Sequence, residues 1–174
     1  MLNLLYQRRS IRKYQQIPIE KEKVEKLIRA SLLAPSARGS LSQKFIVVED
    51  KNILEKLSRS REHGASFLKN APLAIAILGD SSITDVWVED TSIAAITIQY
   101  VAKSLGLGSC WIQVRNRQHN QDLTSEEYIQ ELLAIPENLK VECILAIGYP
   151  DEQKPNKTDE ELGFERVSFN GYGK

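Results

Sequence analysis

The sequence predicts a single domain of mixed α and β structure, on the strength of its size, its periodicity and its punctuation. A chain of 174 residues, 42% hydrophobic and 26% charged, suits one hydrophobic core and not two independent ones. Apolar residues recur at helical spacing in some segments and as short continuous runs in others. Proline, glycine and hydroxyl residues separate these segments, with no internal repeat and no long linker, so the domain is expected to span 1–174 with a polar tail over 150–174.

Each element follows from its own pattern. Residues 19–34, IEKEKVEKLIRASLLA, place Val24, Leu27, Ile28, Ala30, Leu32 and Leu33 largely on one helical side, after Pro18 as a start signal. Pro35 cannot continue that helix and opens a loop of small and hydroxyl residues, PSARGSLSQ. KFIVVED reads as a short strand and KNILEKLSR as a short helix. Beyond His63 and Gly64, FLKNAP leads into LAIAILGD, an apolar run suited to a strand buried on both faces. The segment VWVEDTSIAAITIQYVAKSLGLG carries no charge between Asp90 and Lys103 and is apolar around more than one stripe. It belongs in the centre of a core or at an interface. Gly106 and Gly108 end it; a lone GxG is a helix C-cap and turn, not a dinucleotide fingerprint. SCWIQV follows as a strand. TSEEYIQELLAI opens with Thr124 and Glu127 in capping-box spacing, and LKVECILAIGYP reads as the last strand.

Composition excludes several functions. No apolar run approaches the ~20 residues that span a bilayer, and the N-terminal charge follows a short apolar stretch, the reverse of a secretory leader. The expectation is a cytoplasmic chain with no membrane partner. Cys110 and Cys143 lie inside apolar strand runs without CxxC spacing and read as buried thiols, with no metal site. Net charge is zero overall, yet residues 1–48 carry ten Lys and Arg against three Asp and Glu, +7 against −7 for the remainder. Much of that excess, at 20–29, alternates with glutamates as on a solvated helix face. Only RRSIRKY, with Arg8, Arg9, Arg12 and Lys13, is free of acidic neighbours. A cluster of that size suits one phosphate group better than a duplex, so no nucleic-acid partner is expected. By residues alone, a phosphate-bearing ligand and a solvated basic turn both remain open. There is no Walker A sequence, no HExxH and no hydrolase signature around His63 or His119, so chemistry would come from a bound cofactor.

RRSIRKY, followed by LAPSARGSLSQKFIVVED, FLKNAPLAIAILGD, DVWVEDTSIAAITIQYVAKSLGLGSCWIQV and ECILAIGYP in that order, resembles the FMN-dependent nitroreductase family over roughly residues 4–157. The resemblance implies an α+β fold with a central mixed or antiparallel sheet flanked by helices, and a homodimer with two FMN molecules at the subunit interface. It assigns Arg8, Arg9, Ser10 and Arg12 to the FMN phosphate, ribityl chain and pyrimidine edge, with Lys154 and Lys157 completing the phosphate site. Pro35, Ser36, Ala37 and Gly39 match a loop that reaches the flavin of the other subunit. There the chain departs from the family's PSxxNxQPW, with Gly39, Leu41, Ser42 and Gln43 at the altered positions. A backbone N–H of Gln113 or Val114 is implied to face flavin N5, and Arg61 and His63 to border the substrate.

The activity implied is hydride transfer from NADH or NADPH through flavin to a nitroaromatic or quinone, in ping-pong order, with no catalytic side chain. The alternative is a non-catalytic flavin-binding or sensor protein of the same fold.

Overall fold

The computed structural model describes residues 1–173; Lys174, the last residue of the expected tail, lies outside them. The element order is α1 (Leu2–Gln7), α2 (Lys21–Leu32), β1 (Gln43–Val48), α3 (Lys51–Leu57), β2 (Leu73–Asp80), α4 (Trp87–Ser104), β3 (Gly108–Gln113), α5 (Ser125–Leu133) and β4 (Leu139–Gly148). The four strands form one sheet in the order β1-β2-β4-β3, every pair antiparallel, which resolves the expectation of a mixed or antiparallel sheet.

Both faces of the sheet are covered, so its central strands are apolar throughout. Along β2, Leu73, Ile75 and Ile77 face α2 and α4, while Ala74, Ala76 and Leu78 face α3 and α5. β4 alternates in the same way, Cys143, Leu145 and Ile147 on the α4 side and Ile144 and Ala146 on the other. The switch is set by a bulge. Ile77 pairs with Cys143 but Leu78 pairs with Val141, which leaves Glu142 as the extra residue.

α4 is the axis of the molecule, packed on α1, α2 and all four strands. Its close approach to β2 depends on Gly79, where a Cβ would lie 2.6 Å from the Trp87 ring. α5 carries the complete capping box predicted from Thr124 and Glu127. α1 is not predicted by the sequence pattern: it is six residues long, lacks a side-chain cap, and buries no residue. Both cysteines are free and buried. Among the described residues, the tail beyond Gly148 contains only two short helical elements, the 3-10 turns Asp159–Glu161 and Phe164–Arg166. Among the described residues, no helix is long and apolar enough to cross a membrane.

Candidate functional site

The segment 8–15 is held along the open ends of β3 and β4. Ser10 bridges Ser109, the Ile11 N–H donates to the Ser109 carbonyl at 3.0 Å, and the Gln15 N–H donates to the Tyr149 carbonyl at 2.9 Å. Gly108 permits this contact, since a Cβ there would lie 2.8 Å from the Ile11 Cβ. The Tyr14 hydroxyl ties the turn down by donating to the Ile11 carbonyl at 2.5 Å and the Ala146 carbonyl at 3.2 Å. Burial pushes the Tyr14 phenol well above its ordinary range, so it stays a neutral donor.

These bonds aim the basic side chains at the segment after β4. Arg8, Arg9, Lys103, Ser109, Glu152 and Lys154 border a cavity of about 280 Å³ at the C-terminal end of α4. The Arg8 guanidinium donates to Gln99 Oε1 at 3.5 Å, which also accepts from the Ser109 hydroxyl at 3.4 Å. Arg9 donates to the Pro155 carbonyl. Glu152 is the one carboxylate in this lining, and its Oε1 accepts the Arg12 N–H at 2.5 Å and the Lys13 N–H at 3.2 Å. Those N–H bonds, the Arg12 N–H above all, hold its carboxyl below the usual glutamate range, and Lys154 Nζ is 3.7 Å from Oε2. Glu152 therefore fixes the backbone under the cations, while Arg8 and Lys103 border the cavity without an ion-pair partner among the described residues.

The structure brings together Arg8, Arg9 and Lys154 as the sequence predicts, with Ser10 beside Cys110 at the edge. Lys157 is placed elsewhere: its ammonium pairs with Glu161 at 2.6 Å. Lys103 takes the place of an additional cation, and Gln99 and Glu152 complete the framework. None of the three stood out in the sequence, because each acts through a partner 50 or more residues away in the chain, apart from the basic last turn of α4 that Lys103 shares with many helices.

Arg12 points away from this cavity, its guanidinium carbon 5.9 Å from the centre of the Phe67 ring. On the same side of the sheet end lies Gln113. Its carbonyl accepts from Arg61 Nη1 at 3.1 Å, and its side chain accepts from Trp111 Nε1 at 2.9 Å and donates to the Arg115 carbonyl at 3.0 Å. The Val114 N–H donates to the Glu142 carbonyl at 3.2 Å. Of the two expected backbone donors, Val114 is thus committed to the sheet. His63 is exposed on the loop beside Arg61.

The loop Pro35–Gly39 sits at the opposite end of α4. Asp90, buried in the first turn, accepts the Ala37 N–H at 2.7 Å and the Ser40 and Ser42 hydroxyls at 3.1 Å each. The Gln43 amide donates to the Pro35 carbonyl at 3.2 Å, and the Leu41 N–H to the Ser36 hydroxyl at 3.0 Å. Ser42 and Gln43, two of the departures noted above, therefore hold the loop from below. Arg38, Gly39 and Leu41 all have positive φ, so two non-glycine residues sit in the left-handed region, and Leu41 is left 63% exposed. Asp90 and Gln99 are nine residues apart on one helix, which separates the loop's anchor from Arg8's by about 14 Å.

Known proteins resemble this chain over nearly its whole length. The model of the family described as "Nitroreductase family" matches residues 5–62 and 56–149. A solved FMN-dependent nitroreductase from Clostridium difficile R20291 superposes with a TM-score of 0.98 at 51% identity, covering 99% of this chain and 100% of that one. A protein of Archaeoglobus fulgidus, provisionally named NADH dehydrogenase/NAD(P)H nitroreductase, is 38% identical over 171 residues, 95% of each chain. The NADPH-flavin oxidoreductase of Vibrio harveyi is 30% identical over 161 residues, 83% of this chain and 63% of its own length.

Proposed function

This chain belongs to the nitroreductase family, and on that footing we propose that it is an FMN-dependent oxidoreductase that passes hydride from NADH or NADPH to an electron-poor acceptor such as a nitroaromatic or a quinone. The observation that carries the reading is the cavity at the C-terminal end of α4, where Arg8, Arg9, Lys103 and Lys154 converge and the only lining carboxylate is already bonded to backbone N–H groups. Such a lining fits a phosphate monoester, since planar arginine forks and ammonium donors match its oxygens. Ser10 and Ser109 extend the polar wall from that cavity toward Arg12.

When bound, FMN supplies the two-electron chemistry, taking hydride from one substrate and giving it to the next. The chain's own residues bind and orient. Arg8, Arg9, Lys103 and Lys154 would hold the phosphate. Arg12, placed over Phe67, would supply a fixed positive charge that favours negative charge on the bound group. The Gln113 backbone, pinned by Arg61 on its carbonyl, would support the group from the end of β3. Two substrates that use the same space in turn give parallel double-reciprocal plots; intersecting plots would count against this order.

A homodimer is part of the same reading. The Pro35–Gly39 loop, anchored at the opposite end of α4 from Arg8, is taken from the family resemblance as serving a partner's site. The exposed apolar side chains Leu32, Leu33, Leu41, Ile93, Phe164 and Phe169 supply a surface for a second copy to cover. A cytoplasmic location, where NADH and NADPH serve as reductants, belongs to the same reading.

The test is the visible absorption spectrum of the purified protein before and after anaerobic NADH or NADPH. A two-banded yellow spectrum that bleaches supports the enzyme. A flavin spectrum that neither reductant changes favours a binding or sensor protein instead, and a colourless protein that takes up no FMN overturns both.

A further inference from the structure

A second cavity, of about 430 Å³, lies between the 58–66 segment and His119, with Arg61, Glu62, His63, Gly64 and His119 on its walls. Its charges are unevenly matched. Arg59 is paired with Glu55 at 2.6 Å, and Glu62 lies 3.7 Å from His63 Nε2 with both side chains turned to solvent. Arg61 is half-buried and has no carboxylate partner among the described residues; Nη1 is held on the Gln113 carbonyl. Arg117 bears on it from the next turn. Burial and the Arg117 charge both push the Arg61 pKa down from its ordinary value, the mark of two cations crowded together with nothing negative between them. His119 offers a further polar edge: its Nδ1 is bonded to the Arg59 carbonyl at 2.8 Å and its ring is stacked on Tyr128, which leaves Nε2 facing outward. Glycine at position 64, with φ +86°, turns the chain closely around the Arg61 guanidinium, 3.7 Å from where a Cβ would stand.

The cavity adjoins the reacting end of the site already described. Arg61 touches Gln113 directly, and Phe67, on the 3-10 turn Ser66–Asn70, lies under Arg12. We propose that this cavity binds an oxyanion, a carboxylate or phosphate carried by the molecule that exchanges hydride next door, with Arg61 as the specificity-determining contact and Arg117 reinforcing it. The inference rests on the FMN oxidoreductase reading and extends it to substrate choice. Two sources share this chemistry: a carboxylate on the electron acceptor, or the 2′-phosphate that distinguishes NADPH from NADH.

The experiment is calorimetric titration of the flavin-loaded protein with two matched pairs, 4-nitrobenzoate against 4-nitrobenzamide and NADP⁺ against NAD⁺, in the parent, Arg61→Gln and Arg117→Glu. Arg117 is exposed, so its variant folds even where loss of the Arg61 to Gln113 bond disturbs the strand end. The parent is expected to prefer the more anionic member of one pair by about tenfold, the scale of a charge-assisted contact, and both variants to erase that preference. Loss in the benzoate pair identifies the acceptor as the source, and loss in the nucleotide pair identifies the reductant. Equal binding within both pairs in the parent, or a preference that survives both substitutions, overturns the proposal. Oxidation of NADH or NADPH with the uncharged quinone menadione is followed in parallel. Its absence with every reductant sinks the enzymatic reading, while the titrations still decide what the cavity binds.

Discussion

The two ends of α4 build a ligand wall in opposite ways. At the C-terminal end, Gln99 and Lys103 meet Arg8, Arg9 and Lys154, cations that repel one another around a cavity whose one carboxylate is engaged by the backbone. At the N-terminal end, buried Asp90 collects one N–H and two hydroxyls, so that the 37–42 loop is tied to the helix by a single carboxylate. The first end gathers cations around a carboxylate already bonded to backbone N–H groups; the second ties its loop down through one buried carboxylate. Substitution at the first should therefore register in flavin binding, and substitution at the second in folding.

The largest expected effect tests the first end. Replacing Arg8 and Arg12 together with alanine removes two charge-assisted contacts of about 2 kcal/mol each, and FMN affinity should fall roughly a thousandfold. Quenching of FMN fluorescence on titration measures it, with thermal unfolding of the flavin-free protein expected to change little. Full flavin retention by the double variant would break the assignment of the cluster. Next comes Asp90→Ala, which leaves three donors without their acceptor. It should cost about 3 kcal/mol and lower Tm by roughly 6 to 12 °C in a chain of this size. A variant that lost flavin while keeping its Tm would show that Asp90 serves the ligand and not the loop.

This contrast also explains what the sequence could and could not reveal. The strands, α2, α3, α4 and the capping box of α5 were legible because their signals are local: an apolar period, a proline, a Thr with a Glu three residues on. The Arg8 and Arg9 cluster was legible because four cations without acidic neighbours stand out in a neutral chain. Asp90 was visible only as the last charge before an apolar helix, and its bonds to residues 48 to 53 positions earlier exist only in the folded chain. That Lys103 lines the cavity and Lys157 pairs with Glu161 was hidden for the same reason. Ser42 and Gln43 looked like losses from the family pattern. They hold the loop from beneath, a role no local pattern announces.

The smallest expected effect sharpens the comparison with two glutamates, one near each end of α4. Glu142, the bulge residue of β4, has a side chain only 5% exposed, and its Oε2 has no hydrogen-bond partner; Arg115 Nε is 4.0 Å away. Burial pushes its carboxyl above the usual glutamate range, the Gln113 amide and Arg115 pulling it back in part and Glu126 and Glu89 adding to the rise. A folded pKa above the unfolded one means that the folded state holds the proton more tightly. The stability this gives is present below the ordinary glutamate range and is lost as pH rises through the raised value. Glu152 is shifted the other way by the Arg12 and Lys13 N–H groups, so its contribution is present above the ordinary range and lost as pH falls through the lowered value. Glu142→Gln should accordingly raise Tm by about 2 °C at pH 8, and Glu152→Gln should lower it by about as much. The Glu142 difference should shrink as the pH is taken toward 4, because that carboxyl then becomes neutral like the amide that replaces it, whereas the Glu152 difference should persist until the pH falls below the ordinary glutamate range. Melting curves of the two variants across that range read the signs directly. A Glu142→Gln protein less stable than its parent at pH 8 would mean that the Arg115 pairing outweighs burial, and that this end of α4 also depends on a charge from which it gains.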